Sequence, residues 1–199
     1  MINIAKGTKE RLLEAALKMF SENGYSATNI RELSASLGLG KSSLYRHYES
    51  KEEIWNSMID EMERYYNTKF GSSENLPEIP ESTSAFKSLV MNMLNFTLHD
   101  EKIKMTRKIL LTEQFRDERI KALATKHFNS GLEDMFTSVF TGMIKNGSLK
   151  KDDPQMLSFI FTSPVSSLVL LCDRQPEKES EILEKSEAFI DRFISRYGC

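Results

Sequence analysis

Apolar residues recur three and four positions apart along nearly the whole chain, the spacing that lines one face of an α-helix. Leu12, Leu13, Ala16, Leu17 and Phe20 make a first stripe, Ile30, Leu33 and Leu37 a second, and Ile54, Trp55, Met58, Ile59 and Met62 a third. No segment alternates with period two for long enough to suggest a strand. The pattern predicts an all-α protein of about nine helices.

Capping chemistry places the boundaries. Thr8 is suited to cap the first helix, which should stop at Asn23-Gly24, and Thr28 to cap a second ending at Leu37-Gly38. Ser50-Lys51-Glu52-Glu53 has the S-x-x-E form of a capping box and opens the fourth helix. Residues 71–84 turn polar, with Gly71, Ser72, Ser73, Pro77 and Pro80, and read as a loop. Beyond it the periodicity predicts helices over 85–99, 102–115, a long 117–146, 154–172 and 176–196. Gly147 is a natural stop, and Asp153-Pro154 and Gln175-Pro176 put proline at the first helical position, where its missing N–H costs nothing. Pro164 should kink the helix it interrupts, since it removes the bond to the Ile160 carbonyl.

Within this series, residues 29–48 have the form of a helix-turn-helix: two short helices, a tight turn, and a second helix with one apolar and one polar side. Ile30, Leu33, Leu37, Leu39 and Leu44 would lock the pair together, with Gly38 in the turn. Lys41, Ser42, Ser43, Tyr45, Arg46 and His47 remain for a DNA groove. Arg46 and Lys41 can donate to guanine O6 and N7, and Arg31 can reach from the preceding helix. Lys51 sits in the first turn of the fourth helix, whose N–H groups and dipole attract a phosphate. Arg31 and Arg46 as plain surface charges, and Tyr45 as partly core, are the competing readings.

Charge and composition refine this picture. The chain carries a net −2, but up to Lys51 it has eight basic against five acidic residues, a net of +3, leaving −5 for the remainder. A basic head on an acidic body fits a polyanion-binding domain joined to one that stays off DNA. Two cysteines, Cys172 and Cys199, are too few for a disulfide framework or zinc site, and His47 has no second ligand at i±3 or i±4. No cofactor motif, phosphate-cradling loop or nucleophile elbow appears, so an enzyme, its site assembled across the helical body, is the weaker alternative. No run of roughly 18 uncharged apolar residues suggests a membrane span, and the polar N-terminus lacks a signal-peptide core, so a cytoplasmic protein without a membrane partner is expected.

Gly24-Tyr25-x-x-Thr28, Ile30-x-x-Leu33 and Gly38-Leu39-x-Lys41-x-Ser43-Leu44-Tyr45-x-His47-Tyr48-x-x-Lys51-Glu52-x-Ile54 together resemble the tetracycline-repressor (TetR) family. The strong match covers about the first quarter of the chain. Ser34 stands where the family usually has alanine, Tyr48 where it often has phenylalanine, and Gly40 where serine or threonine opens the recognition helix. Glycine still caps, but it brings no side-chain oxygen for a phosphate.

The resemblance implies a DNA-binding domain over 1–52 and a helical effector-binding and dimerisation domain over 53–199. It implies that Thr28 is among the DNA-binding residues, that Tyr45, His47 and Lys51 serve the DNA backbone, and that Arg31, Lys41, Ser42, Ser43 and Arg46 lie near base edges. It further implies a homodimer on a palindromic operator of double-stranded DNA, joined through the last two helices. Phe161, Val165, Leu168, Leu171, Ile182, Phe189, Ile190 and Phe193 are the candidate interface; closing the monomer's own core is the other reading, and the two are not exclusive. An unidentified small apolar or amphipathic effector would bind among Phe96, Met105, Ile109, Glu113, Phe128, Leu132 and Met135, residues that otherwise read as plain core. The expected activity is transcriptional regulation, most simply repression; the alternative is a helical DNA binder or adaptor that senses nothing.

Overall fold

The computed structural model describes residues 7–70 and 78–199. Among them the chain runs α1 (Thr8–Ala27), α2 (Ile30–Ser36), α3 (Lys41–Tyr45), α4 (Lys51–Phe70), α5 (Thr83–His99), α6 (Glu101–Glu113), α7 (Glu118–Thr125), a π turn (Lys126–Ser130), α8 (Gly131–Lys145), α9 (Pro154–Arg174), a 3-10 turn (Pro176–Lys178) and α10 (Glu179–Tyr197). Pairing of extended backbone is confined, among these residues, to an isolated bridge between Leu149 and Gly198. Half of the loop expected over 71–84 lies outside the described residues, and its last two residues already belong to α5.

The caps differ from expectation in an instructive way. Gly7, not Thr8, precedes the first helical residue. Asn29 caps α2, its side chain accepting from the Arg31 N–H at 2.9 Å. At α4, Ser50 Oγ accepts from the Glu53 N–H at 3.0 Å, and the Glu53 carboxylate accepts from the Glu49 N–H at 2.6 Å. This capping box closes one residue earlier than the usual reciprocal bond. Asp153 caps α9 through Gln155 N–H, with Pro154 in the first turn as expected.

The long helix expected over 117–146 is corrected to α7, a π turn and α8. The backbone stays in the right-handed helical region through Thr125, Ser130 and Gly131, so the path is continuous while its register changes. Buried positions on α7 are Ile120, Leu123 and Ala124, leading to His127; on α8 they are Met135, Phe136, Val139, Phe140 and Met143. Extended at 3.6 residues per turn, the first stripe would arrive about one residue early at the second. The extra residue of a π turn absorbs that offset.

The chain forms two compact units, Met1–Asn67 with Met105–Ala124, and Thr68–Lys104 with Thr125–Cys199. The unit holding the helix-turn-helix therefore reaches past residue 52 and takes in most of α6, from Met105 on, and all but the last residue of α7. Its aromatic centre is Phe20, Tyr25 and Trp55, with Trp55 5.0 Å from each of the other rings. Asp117, in the turn between α6 and α7, serves two elements at once. Its Oδ1 accepts from the N–H groups of Arg119 and Ile120 at 2.8 and 3.0 Å, capping α7, and its Oδ2 accepts from the Trp55 indole N–H at 2.8 Å. Arg119 then reaches Asn56 and Asp60 on α4 at 3.0 and 2.5 Å.

In the second unit, Phe86 of α5 sits among Phe136, Phe140, Phe161 and Phe193, with centroids 5.3–6.4 Å away. Each such pair adds about 0.5–1.5 kcal/mol beyond the area buried. A second apolar cluster joins Leu94 and Leu98 to Leu168, Val169, Cys172 and Ile182. By length and a mean hydropathy of 1.6, α9 would pass for a membrane span. Its buried residues Leu157, Phe161, Leu168 and Val169 are instead packed in these two clusters. Helix α9 also runs on through Pro164 without a break.

Burial raises the pKa of Asp117, but hydrogen bonds from Trp55, Ile120 and Arg119 and the Arg119 charge outweigh it, and the net shift is downward. A carboxylate held low stabilises the fold above its unfolded pKa near ~4, and that contribution is lost as pH falls through the lower folded value. Asp117→Ala should therefore cost about 1–3 kcal/mol at neutral pH. Because Trp55 is the single tryptophan, its emission should shift in the variant at neutral pH, and in the native chain only under strong acid.

Candidate nucleic-acid interface

The helix-turn-helix is built from two buried anchors and a glycine turn. Leu33 and Leu44 are fully buried, one on each helix, and Tyr48 follows on the same inner side. Between the helices, the N–H groups of Gly38 and Leu39 donate to the carbonyls of Ala35 and Ser34, both at 2.9 Å. Gly38 makes this turn at φ +67°, which a side chain disfavours. Gly40 caps α3 at φ −71°, ψ 152° and contributes no side-chain bond. Backbone bonding continues past α3, with His47 and Tyr48 N–H donating to the Leu44 carbonyl. Ser34, buried where alanine is usual, donates its hydroxyl to the Arg31 carbonyl at 2.9 Å and so carries no unmet polar group.

Burying Leu44 and Tyr48 turns the intervening residues outward. Tyr45, Arg46 and His47 are exposed, as is Arg31 on α2, and Ser43 is half-buried. Arg46 Nη2 donates to Ser43 Oγ at 3.4 Å, which draws these two candidates together. The side chains of Lys41 and Ser42 lie outside the described residues. Lys51 is half-buried: its ammonium donates to the Ser26 carbonyl at 3.2 Å and lies 4.5 Å from the centre of the Tyr25 ring. Burial lowers its pKa. An ammonium has three donors, so two remain for a phosphate.

Thr28 needs correcting, both as a cap of α2 and as a DNA contact. It is 3 % exposed, and its hydroxyl donates to the Gly24 carbonyl at 2.8 Å. It closes the end of α1, where Gly24 leaves helical geometry at φ +75°, ψ 170°. That conformation is essentially restricted to glycine. A Cβ on Gly24 would also fall 2.8 Å from the Glu113 carboxylate, which accepts from the Tyr25 N–H at 3.3 Å.

Glu113 thus belongs to the seam of the helix-turn-helix unit, with Met105 and Ile109 in the same unit. The other proposed effector contacts, Phe96, Phe128, Leu132 and Met135, fall in the second unit. Met135 is core and Leu132 packs against it; Phe96 lies edge-on to Phe70, 5.7 Å between centroids. The π turn adds a polar group that spacing alone did not single out. Burial, then the Lys126 charge, pushes the His127 pKa down to about 3, so its imidazole is neutral at physiological pH. Among the described residues no group of three His, Cys, Asp or Glu is placed to hold a metal.

The interface candidates separate by burial. Phe161, Leu168, Ile182, Ile190 and Phe193 are buried within the monomer, which corrects their reading as contact residues; the alternative of core closure holds for them. Their stripes face α5, α8 and each other. Val165, Leu171 and Phe189 are half-buried. The large apolar residues that α9 does leave exposed are Met156, Phe159 and Ile160.

A family model described as "Bacterial regulatory proteins, tetR family" matches residues 12–58, the stretch from the core of α1 through the helix-turn-helix into α4. Residues 12–58 are similar to the TetR-family segment. Over 58 residues the chain is 36% identical to the icaADBC biofilm-operon negative transcriptional regulator IcaR of Staphylococcus epidermidis, covering 29% of the chain and 31% of that protein. Over 163 residues it is 28% identical to the HTH-type transcriptional repressor KstR2 of Rhodococcus jostii, covering 78% and 74%. The match to the regulator AcrR of Shigella flexneri spans 49% of that protein, so the chain aligns with a third to a half of two of these relatives. Among solved structures, the SmeT repressor of the Stenotrophomonas maltophilia efflux pump SmeDEF shares the fold, with a TM-score of 0.67 at 16% identity over 98% of this chain and 92% of that one.

Two glycine substitutions test how the family motif is held. Gly38→Ala meets no atom within 4 Å and should cost only the left-handed backbone, about 1–2 kcal/mol. Gly24→Ala carries the backbone strain, about 1–3 kcal/mol, plus the collision with Glu113. Urea unfolding should therefore rank Gly24→Ala as the more damaging, with part of its loss recovered in Gly24→Ala/Glu113→Ala. An equal loss in the two single variants would contradict the seam.

Proposed function

We propose that this chain is a DNA-binding transcriptional regulator, acting as a repressor. It reads a palindromic operator as a homodimer and is released by a small apolar or amphipathic effector. Residues up to about 52 make the DNA contacts, and the remainder binds effector and partner. The observation that carries the reading is the helix-turn-helix itself. Leu44 and Tyr48 bury one side of the second helix, and Tyr45, Arg46 and His47 stand outside, in the segment shared with named regulators. The curated relatives include proteins named as a negative regulator and as a repressor, which favours repression. One recognition helix reads few bases, so two-fold pairing follows from the need for specificity.

Base choice rests on Arg46, steadied by Ser43, together with Arg31, Lys41 and Ser42. Backbone contact rests on Tyr45, His47 and Lys51. In fluorescence anisotropy with DNA flanking the gene, Arg46→Ala should cost about 1–3 kcal/mol on the preferred site and relax base preference at one position. Lys51→Ala should weaken all sequences alike and reduce the salt slope by about 1. An unchanged slope for Lys51→Ala would remove it from the phosphate contacts.

The dimer is carried by the exposed face of α9. Met156, Phe159 and Ile160 lie three and four apart, and apolar side chains of that size gain from being covered. Phe159→Glu should shift sedimentation from dimer to monomer while leaving helicity intact; an unchanged mass would place the interface elsewhere. The effector is assigned to the apolar residues Phe96, Phe128, Leu132 and Met135. A solved complex of SmeT with triclosan, of the same fold at a TM-score of 0.73, supports an apolar small molecule as the ligand class.

A further inference from the structure

One polar cluster of the second unit lies outside the proposed function, where the end of α5, the end of α9 and the start of α10 meet. His99, the last residue of α5, has Nδ1 2.8 Å from the Asn95 carbonyl and Nε2 2.9 Å from Glu179 Oε1. Both partners are acceptors, and a neutral imidazole has one N–H. Only the imidazolium satisfies both bonds, and a helix C-terminus favours that charge. Glu179 is the first residue of α10, and its other oxygen accepts from the Cys172 thiol of α9 at 3.9 Å. One carboxylate therefore gathers three helices.

The start of α10 sits at the end of a short connection from α9. It follows the short 3-10 turn Pro176–Lys178, and Lys178, at the capping position, makes no side-chain cap bond. Cys172 lies just behind it, 5 % exposed, packed with Leu94, Leu98, Leu168, Val169 and Ile182. The charged groups facing His99 are Glu179 from α10 and, from α6, Lys104, which opposes the imidazolium but is itself paired with Glu101 at 3.0 Å.

We propose that His99, Glu179 and Cys172 form a proton-operated clamp, in which the imidazolium holds the first turn of α10 over the Cys172 thiol and loss of its proton opens that thiol to reagents in solution. The Asn95 carbonyl first, and then Glu179, raise the pKa of His99. The stabilisation is thus complete below the ordinary histidine value near ~6.5 and fades as pH rises through the higher folded value. The same Glu179 carboxylate accepts from the Cys172 thiol, so the closed clamp keeps the sulfur covered. The clamp needs neither DNA nor effector and stands apart from the reading given above.

The test uses Cys199, which is exposed, as an internal reference. The full chain is treated with a small aromatic disulfide, whose sulfur is attacked by the protein thiolate to give a mixed disulfide and a released aromatic thiolate. Mass spectrometry follows the two cysteines separately. The Cys172 to Cys199 rate ratio should rise with pH as His99 titrates. In His99→Gln the ratio at pH ~6 should already be about two- to fivefold above the native value, the range one partly exposed ion pair supports. Identical ratio-against-pH curves for the native chain and His99→Gln would overturn the proposal. A second readout does not depend on that variant folding: the NMR titration midpoint of His99 should fall in Glu179→Gln, and an unmoved midpoint would overturn the clamp equally.

Discussion

The indole N–H of Trp55 and the first turn of α7 share one carboxylate, that of Asp117. A buried donor without an acceptor costs more than most single contacts return, so the packing of Trp55 against Phe20 and Tyr25 presupposes Asp117 in place. From there the constraints follow in order. Trp55 fixes α4 against α1; the Gly24 turn brings the Tyr25 N–H to Glu113; and Thr28 closes α1 so that Asn29 opens α2. The recognition helix is only five residues long, too short to hold its own geometry. Its orientation is inherited from this seam through the buried Leu44 and Tyr48.

The sequence makes the helix-turn-helix legible because everything it needs is local. The stripe of Ile30, Leu33 and Leu37, the Gly38 turn and the Ser50 box all act within a few residues. The TetR resemblance rested on the same short segment, the one the family model matches. Even here Thr28 misled. Threonine suits an N-cap chemically, but the hydroxyl of Thr28 looks backward to Gly24 while Asn29 takes the forward role.

What stayed hidden depends on distance or on register. Nothing near Trp55 in sequence announces a partner at Asp117, and Glu113 looked like a pocket residue until its carboxylate was found on Tyr25. The π turn could have been inferred: the stripe ending at His127 and the one beginning at Met135 do not fit a single 3.6-residue period. Composition misled in α9, which is apolar on nearly every side. Periodicity could not divide its inward residues, Phe161 and Leu168, from its outward ones, Phe159 and Ile160, because that division depends on where α8 and α10 lie. By length and hydropathy the same helix resembles a membrane span, although Leu157, Phe161, Leu168 and Val169 are packed in apolar clusters.

The reading head is held by side-chain bonds that join distant segments, Trp55 to Asp117 and Tyr25 to Glu113. The central claim is that two such heads read DNA together, and selection of bound sequences from a random duplex pool tests it most directly. The account predicts enrichment of a two-fold symmetric sequence, its half-sites about one helical turn apart or a multiple of that spacing. A pool that remains unenriched, or that yields a single half-site without symmetry, would contradict it.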